Sequence, residues 1–218
     1  MRVSFGVLGI MNKVVGSNFK RKGVNLMGKI YFVRHGDAEH NVLCVPASNV
    51  NDIYGLTAAG RDEAVKCKEQ LANIKFDQIF TSRLKRAAQT CGIIVGGDRI
   101  KDIQIDNRII DRDWGVLTGK RYKPTQHGGV EFNVIKSMNY NLQKDFPNME
   151  SMDDLEKRMF DFIDDVKAKY PGRNVLVVTH NNCVSMVKVY LYGRPKSGSI
   201  LEDPLYYVKN CEIVEIEN

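Results

Sequence analysis

The sequence has no run approaching about 18 consecutive apolar residues, the length a membrane-crossing helix needs, so no transmembrane span is expected. It has no C-x-x-C pair. Its five cysteines (Cys44, Cys67, Cys91, Cys183 and Cys211) are odd in number, which excludes a fully paired framework and fits reduced thiols in a reducing compartment. No His/Cys/Asp cluster has metal-ligand spacing, so neither a metal nor another cofactor is expected. Repeats and low-complexity stretches are missing. Residues 1–26 contain no Asp or Glu but carry Arg2, Lys13, Lys20, Arg21 and Lys22. Those five groups account for all but one of the six net positive charges, so the basic balance belongs to an N-terminal extension. Basic residues interleaved with aromatics are lacking too, so no nucleic-acid surface is expected.

What is present suits one globular α/β domain over residues 27–218, with 43% hydrophobic and 27% charged residues across the chain. Three readings fit residues 1–26: a solvated disordered tail, a non-native start with Met27 as the true beginning, or a targeting segment. The acid-free composition resembles a mitochondrial presequence, but Arg and Ser are sparse for one. The expected compartment is the cytoplasm, or the mitochondrion if the extension is a presequence.

Lys29–Arg34 holds a continuous apolar run, Ile30-Tyr31-Phe32-Val33, the mark of a buried strand. Residues 36–56 are polar and irregular and read as a loop. Thr57 is placed to cap a helix running to about Asn73, with Ala64 and Leu71 on its inner face. Asp77–Thr81 reads as a strand, followed by a helix from Lys85 to Val95 that Gly96-Gly97 ends. Residues 102–106 fit another strand. The stretch 111–150 is the least regular, with Gly115, Gly119, Pro124, Gly128, Gly129 and Pro147, and is expected to cover a site. Ser151, with Asp154 at capping-box spacing, opens a helix whose Leu155, Met159, Phe162, Ile163 and Val166 share a face. Asn174–Thr179 is a further buried strand, a helix follows from about Asn182 to Tyr192, and Leu205–Glu215 is a last strand candidate. Such alternation implies a three-layer α/β/α architecture, a mainly parallel sheet with helices on both faces. Ligands of such sheets sit beyond the carboxyl ends of the strands.

Two of the four histidines, His35 and His180, stand directly after buried strands. Arg34 adjoins the first, and Arg86 lies near the start of a helix that follows a strand. All four can converge on one rim of the sheet. Arginine forks match phosphoryl oxygens with paired hydrogen bonds. A neutral imidazole in that cationic setting can attack phosphorus and become a phosphohistidine. Fixed cations then do the work of a metal. His40 and His127 read as surface or loop residues, and Arg83 and Lys85 as a solvated helix start.

Seven blocks in order resemble the histidine phosphatase superfamily, the phosphoglycerate-mutase-like family. They are Arg34-His35-Gly36-Asp37 with Asn41; Leu56-Thr57 with Gly60; and Ser82, Leu84, Arg86-Ala87 and Gln89-Thr90. Asp111-Arg112-Asp113-Trp114-Gly115 with Leu117 and Gly119 follows, then Glu150-Ser151 with Arg158, Val178-Thr179-His180, and Asn210-Cys211. The resemblance implies that His35 is the phosphorylated nucleophile and that Arg34, Arg86 and His180 hold the phosphate. Asn41 and Asn181 would add contacts, and Asp111 would give a proton to the leaving oxygen and later activate water.

Two departures stand out. The family acid is usually Glu, so Asp111 is one methylene short and Asp113 is a candidate to share its task. After His180 the family usually has glycine, whereas this chain has Asn181-Asn182. The resemblance implies a metal-independent phosphomonoesterase acting on a small phosphorylated metabolite. A cofactor-dependent phosphoglycerate mutase, an isomerase, is the alternative. The mutases carry an Arg-Arg pair and a Lys after the Asp111 block; residues 111–150 have no such pair, and Tyr122 stands near the Lys position. A non-catalytic phospholigand-binding module is a third reading. Tyr122, Lys123, His127, Phe132 and Lys136 are unranked specificity candidates, and nothing in the sequence sets the oligomeric state.

Overall fold

Five strands form one sheet in the order β3-β2-β4-β1-β5 in this computed structural model, which describes residues 28–49, 51, 53–121, 139–140 and 148–218. The strands are β1 (Lys29–Arg34), β2 (Gln78–Thr81), β3 (Ile103–Ile105), β4 (Val175–Thr179) and β5 (Ile213–Glu217). β1 and β2 both pair with β4 in parallel, β2 pairs with β3 in parallel, and β5 runs antiparallel to β1. The helices are α1 (Glu39–Val42), α2 (Ala58–Gln70), α3 (Lys85–Val95), α4 (Met152–Lys169) and α5 (Asn181–Tyr192).

The two-residue period of the strands divides the core. Ile30, Phe32, Val175 and Val177 join α4 and α5 in one apolar cluster. Tyr31, Val33, Leu176 and Val178 join α2 and α3 in the other. Ile30–Val33 of β1 and Val175–Val178 of β4 are buried at every position because both faces of the sheet are covered, which is why each reads as an unbroken apolar run. The two helices expected from capping residues begin as expected. Thr57 Oγ1 accepts from Gly60 N at 3.0 Å, and Ser151 Oγ accepts from Asp154 N at 3.0 Å. No helix among the described residues is long and apolar enough to cross a membrane.

Three expectations need correction. The last strand spans Ile213–Glu217 rather than Leu205–Glu215, and residues 205–212 lack strand structure. Tyr206 and Val208 of that segment are buried without a ladder, so they mimic a strand pattern while packing as turns. Residues 36–56 contain the one-turn helix α1. The helix capped by Thr57 ends at Gln70, with Leu71 as its C-cap. Residues 1–26, and with them the expected extension, lie outside the described residues.

Candidate active site

β1 delivers His35 to the rim, where its backbone N–H donates to Thr179 O at 2.9 Å. The His35 ring shares a 2.7 Å hydrogen bond between Nδ1 and the Gly36 carbonyl oxygen. A carbonyl only accepts, so the proton sits on Nδ1 and Nε2 keeps its lone pair. Arg86 Nε donates to that Nε2 at 3.2 Å. Burial, followed by the charges of Arg86 and Arg34, pushes the His35 pKa well below its ordinary value. The ring is therefore neutral, with its unprotonated nitrogen at the guanidinium of Arg86.

Arg86 lies in the first turn of α3 and is fully buried. Its Nη2 donates to Ala47 O at 2.7 Å and to Asp111 Oδ2 at 3.1 Å. His180 follows β4 at the N-cap position of α5; its Nε2 shares a 2.7 Å hydrogen bond with Ser82 Oγ, and its Nδ1 lies 3.8 Å from Asp111 Oδ2. Burial and then Arg86 hold His180 neutral too. The His35 and His180 rings meet edge to face at 5.2 Å. Arg34 is anchored by Nη1 donating to Val208 O at 2.7 Å.

The Asp111 carboxylate accepts from three donors: Arg86 Nη2, Arg112 N at 2.9 Å and Asn182 Nδ2 at 3.2 Å. Arg158 Nη2 donates to Asp111 O at 3.4 Å and to Glu150 Oε2 at 2.8 Å, so the Glu150–Arg158 block fixes the backbone beneath the acid. Asp113 is exposed and accepts from Gly115 N at 2.9 Å. It is not in the wall that His35 and Asp111 share.

That wall encloses a cavity of about 220 Å³, lined among others by Arg34, His35, Asn41, Asp111, Asn181 and Asn182. Arg86 and His180 stand directly behind it. α5 opens here with no side-chain cap, so its first-turn N–H groups add to the positive side of the site. Asn41 Oδ1 accepts from Ala38 N at 3.3 Å, closing the turn of α1. The site thus gathers an unprotonated imidazole nitrogen, two arginines, a second neutral histidine and a carboxylate around a space open to a small anion. No group of three or more His, Cys, Asp or Glu among the described residues could hold a metal ion.

The motif residues without chemistry prove to be spacers. A Cβ on Gly36 would lie 2.3 Å from Gly60 O, and one on Gly60 would lie 1.9 Å from Asp37 O. The His35 loop and the start of α2 therefore touch backbone to backbone, which only glycine allows. Thr90 Oγ1 accepts from Gly36 N at 3.1 Å, and Gln89 Oε1 accepts from Leu56 N at 2.8 Å.

His40, expected as a surface or loop residue, lies in α1, is buried and lines the cavity, its ring 5.5 Å from that of His35. Burial and then Arg86 and Arg34 push its pKa down to about 2. A four-residue helix has no periodicity to reveal such a position. Ser82 was visible in a motif block and Asn182 in the departure that follows His180, but their contacts to His180 and Asp111 were not. Tyr122, Lys123, His127, Phe132 and Lys136 lie outside the described residues.

Residues 30–217 match the histidine phosphatase superfamily (branch 1). A 2,3-bisphosphoglycerate-dependent phosphoglycerate mutase from Rhizobium etli is 30% identical over 172 residues, covering 74% of this chain and 79% of the relative. The uncharacterized phosphatase PhoE from Bacillus subtilis is 28% identical over 167 residues, covering 77% of this chain and 79% of the relative. Bacillus stearothermophilus YhfR, a solved structure, superposes with a TM-score of 0.74 at 22% identity, covering 87% of this chain and 91% of that one, a likeness of fold. The match takes in every strand of the sheet and every residue of the cavity wall, and the chain belongs to the histidine phosphatase superfamily.

Proposed function

We propose that this enzyme is a metal-independent phosphomonoesterase that works through a phosphohistidine at His35. The observation that carries the reading is the tautomer: Nδ1 is tied to Gly36 O at 2.7 Å, which leaves the Nε2 lone pair beside Arg86. In the first step Nε2 bonds to phosphorus while the bond from phosphorus to the leaving oxygen breaks, and Asp111 gives that oxygen a proton. Arg34, Arg86, His180 and the first turn of α5 balance the charge on the phosphoryl oxygens. Asn41 and Asn181 add contacts from the cavity wall. In the second step Asp111 takes a proton from water, water oxygen bonds to phosphorus, the P–N bond breaks and His35 is restored. The lack of an Arg-Arg pair in residues 111–150 supports hydrolysis over mutase chemistry.

A panel of phosphorylated metabolites assayed for phosphate release tests the reading, with and without a chelator. Rapid quench with labelled substrate should trap an acid-labile, base-stable adduct that His35→Ala abolishes. A His35→Ala enzyme with near wild-type turnover would refute the mechanism. Interconversion of phosphoglycerates dependent on 2,3-bisphosphoglycerate, without phosphate release, would make the protein a mutase.

A further inference from the structure

Two of the five cysteines meet away from the cavity. Cys67 lies on the inner face of α2 and Cys211 stands two residues before β5, and both belong to the apolar cluster that the sheet shares with α2 and α3. Their thiols are in hydrogen-bonding contact: the Cys211 S–H donates and the Cys67 sulfur accepts. That bond lowers the pKa of Cys67 despite its burial and raises that of Cys211. The other two buried thiols are held protonated. Burial pushes Cys91 up to about 12 and Cys183 to about 11, and Cys183 Sγ donates to Ile110 O at 3.0 Å. Cys211 also sits in strained backbone. Its φ of 54° is left-handed, a conformation that glycine adopts freely and a side chain only at a cost. A thiol held at that cost, against a second thiol, points to a use for the sulfur.

The segment that carries Cys211 is also the clamp on Arg34. Cys211 N donates to Arg34 O at 3.1 Å, Arg34 N donates to Glu212 O at 3.3 Å, and Arg34 Nη1 donates to Val208 O at 2.7 Å. We propose that Cys67 and Cys211 are a redox modification site, closed to a reversible disulfide by a peroxide, and that the bond draws residues 208–212 toward α2 and off Arg34. The Cys67 thiolate attacks one peroxide oxygen, the O–O bond breaks, and Cys67 becomes a sulfenic acid. The hydroxide released takes up the proton that Cys67 had lost. The Cys211 sulfur then bonds to the Cys67 sulfur, the S–O bond breaks, and the Cys211 proton leaves with that oxygen as water. Two thiols and one hydrogen peroxide thus give one disulfide and two waters, and a dithiol reverses the step. A covalent bond of about 2 Å replaces a longer non-bonded contact, so the two backbones must close on each other. The start of α2 is braced backbone to backbone at the Gly36–Gly60 junction, whereas residues 205–212 have no ladder, so the segment before β5 gives way. The inference rests on the phosphatase reading only for what Arg34 does.

The test treats the full chain carrying Cys44→Ser, which removes the one cysteine that is not buried, with hydrogen peroxide. Peptide masses and the binding of inorganic phosphate by calorimetry are the readouts. A peptide pair joined through Cys67 and Cys211, lighter by two hydrogens and released by dithiothreitol, is expected. Phosphate affinity should fall about tenfold, the lower end of what a hydrogen bond to a charged group is worth, and recover with dithiothreitol. Cys211→Gly suits the left-handed backbone and keeps the amide that donates to Arg34. It should fold, bind phosphate as its parent does, and ignore peroxide, and Cys67→Ala should ignore peroxide too. If no joined pair forms while Cys44 of the wild-type chain is oxidised under the same treatment, the inference is wrong. A joined pair with unchanged phosphate affinity also overturns it, as does a Cys211→Gly chain that still loses affinity under peroxide. A reduced parent that binds no phosphate and hydrolyses no monoester would refute the phosphatase reading and the effect on Arg34 with it, while the joined peptide is read independently of both.

Discussion

At the scale of single residues the site turns on which groups carry protons. An alkoxide is a poor leaving group, so a positioned acid contributes about 100- to 10,000-fold, whereas a nitrophenolate needs little such help. Asp111→Asn keeps the shape and removes the proton. The loss should be large for alkyl phosphates and small for p-nitrophenyl phosphate. Equal losses on both substrates would mean that Asp111 only braces Arg86, and a selective loss in Asp113→Asn would move the role there despite its exposure. The buried histidines make a second prediction. His40 is neutral in the folded protein down to about pH 2, while in the unfolded chain it takes up a proton near pH 6.5. Below about pH 6.5 the unfolded state therefore binds more protons, and stability falls as pH falls, by up to about 1.4 kcal/mol per pH unit for each such histidine. His40→Gln should flatten the decline of Tm between about pH 7 and pH 5, since 1 kcal/mol corresponds to about 2–4 °C at this chain length. An unchanged slope would show that His40 is already charged in the folded protein. His35, His180, Arg34 and Arg86 were legible in the sequence because each sits at the edge of a strong apolar pattern. His40 was not, since the protons and partners of a short irregular segment are decided by tertiary contacts.

At the scale of elements the His35 loop is held by a helix start it never meets in sequence. Thr57 Oγ1 donates to Asp37 Oδ2 at 2.9 Å, and Thr57 N donates to Asp37 O at 3.0 Å. The Gly36–Gly60 contact closes the same junction. Gly60→Ala would place a methyl group against the Asp37 carbonyl, which cannot yield without dragging the segment after His35. Destabilisation of about 1–3 kcal/mol is expected, with loss of turnover. Chemical denaturation reads the first effect and phosphate release the second; an alanine variant of wild-type stability would show that α2 can retreat without harm. The helices of this fold were legible because their caps and apolar faces are local. Leu205–Val208 misled because alternating burial alone cannot tell a strand from packed turns. The deciding fact is that β1 offers its antiparallel edge to Ile213–Glu217 instead.

At the scale of the whole molecule the sheet order was only partly legible. Parallel pairing follows from the alternation of strands and helices. That β1 lies between β4 and β5, and that β5 runs backwards, depends on pairings too distant for any local pattern. The motif blocks that carry the family resemblance all lie beyond residue 26. A chain starting at Met27 is expected to match the full chain in Tm and in turnover, and a clear drop in either would show that the extension docks on the domain.

The place of β1 between β4 and β5 has a consequence for how the protein is made. Of the five strands, β1, which leads into the nucleophile, is made before the others and meets its partners last. The Lys29 amide is held by Asn174, 145 residues later, and its side chain by Glu215, 186 residues later. At synthesis rates of about 5–20 residues per second, the run Ile30-Tyr31-Phe32-Val33 waits roughly ten seconds or more with both edges open. For that interval it is an adhesive strand, a natural client for a chaperone that binds apolar segments. No phosphate pocket can exist until almost the whole domain has been translated.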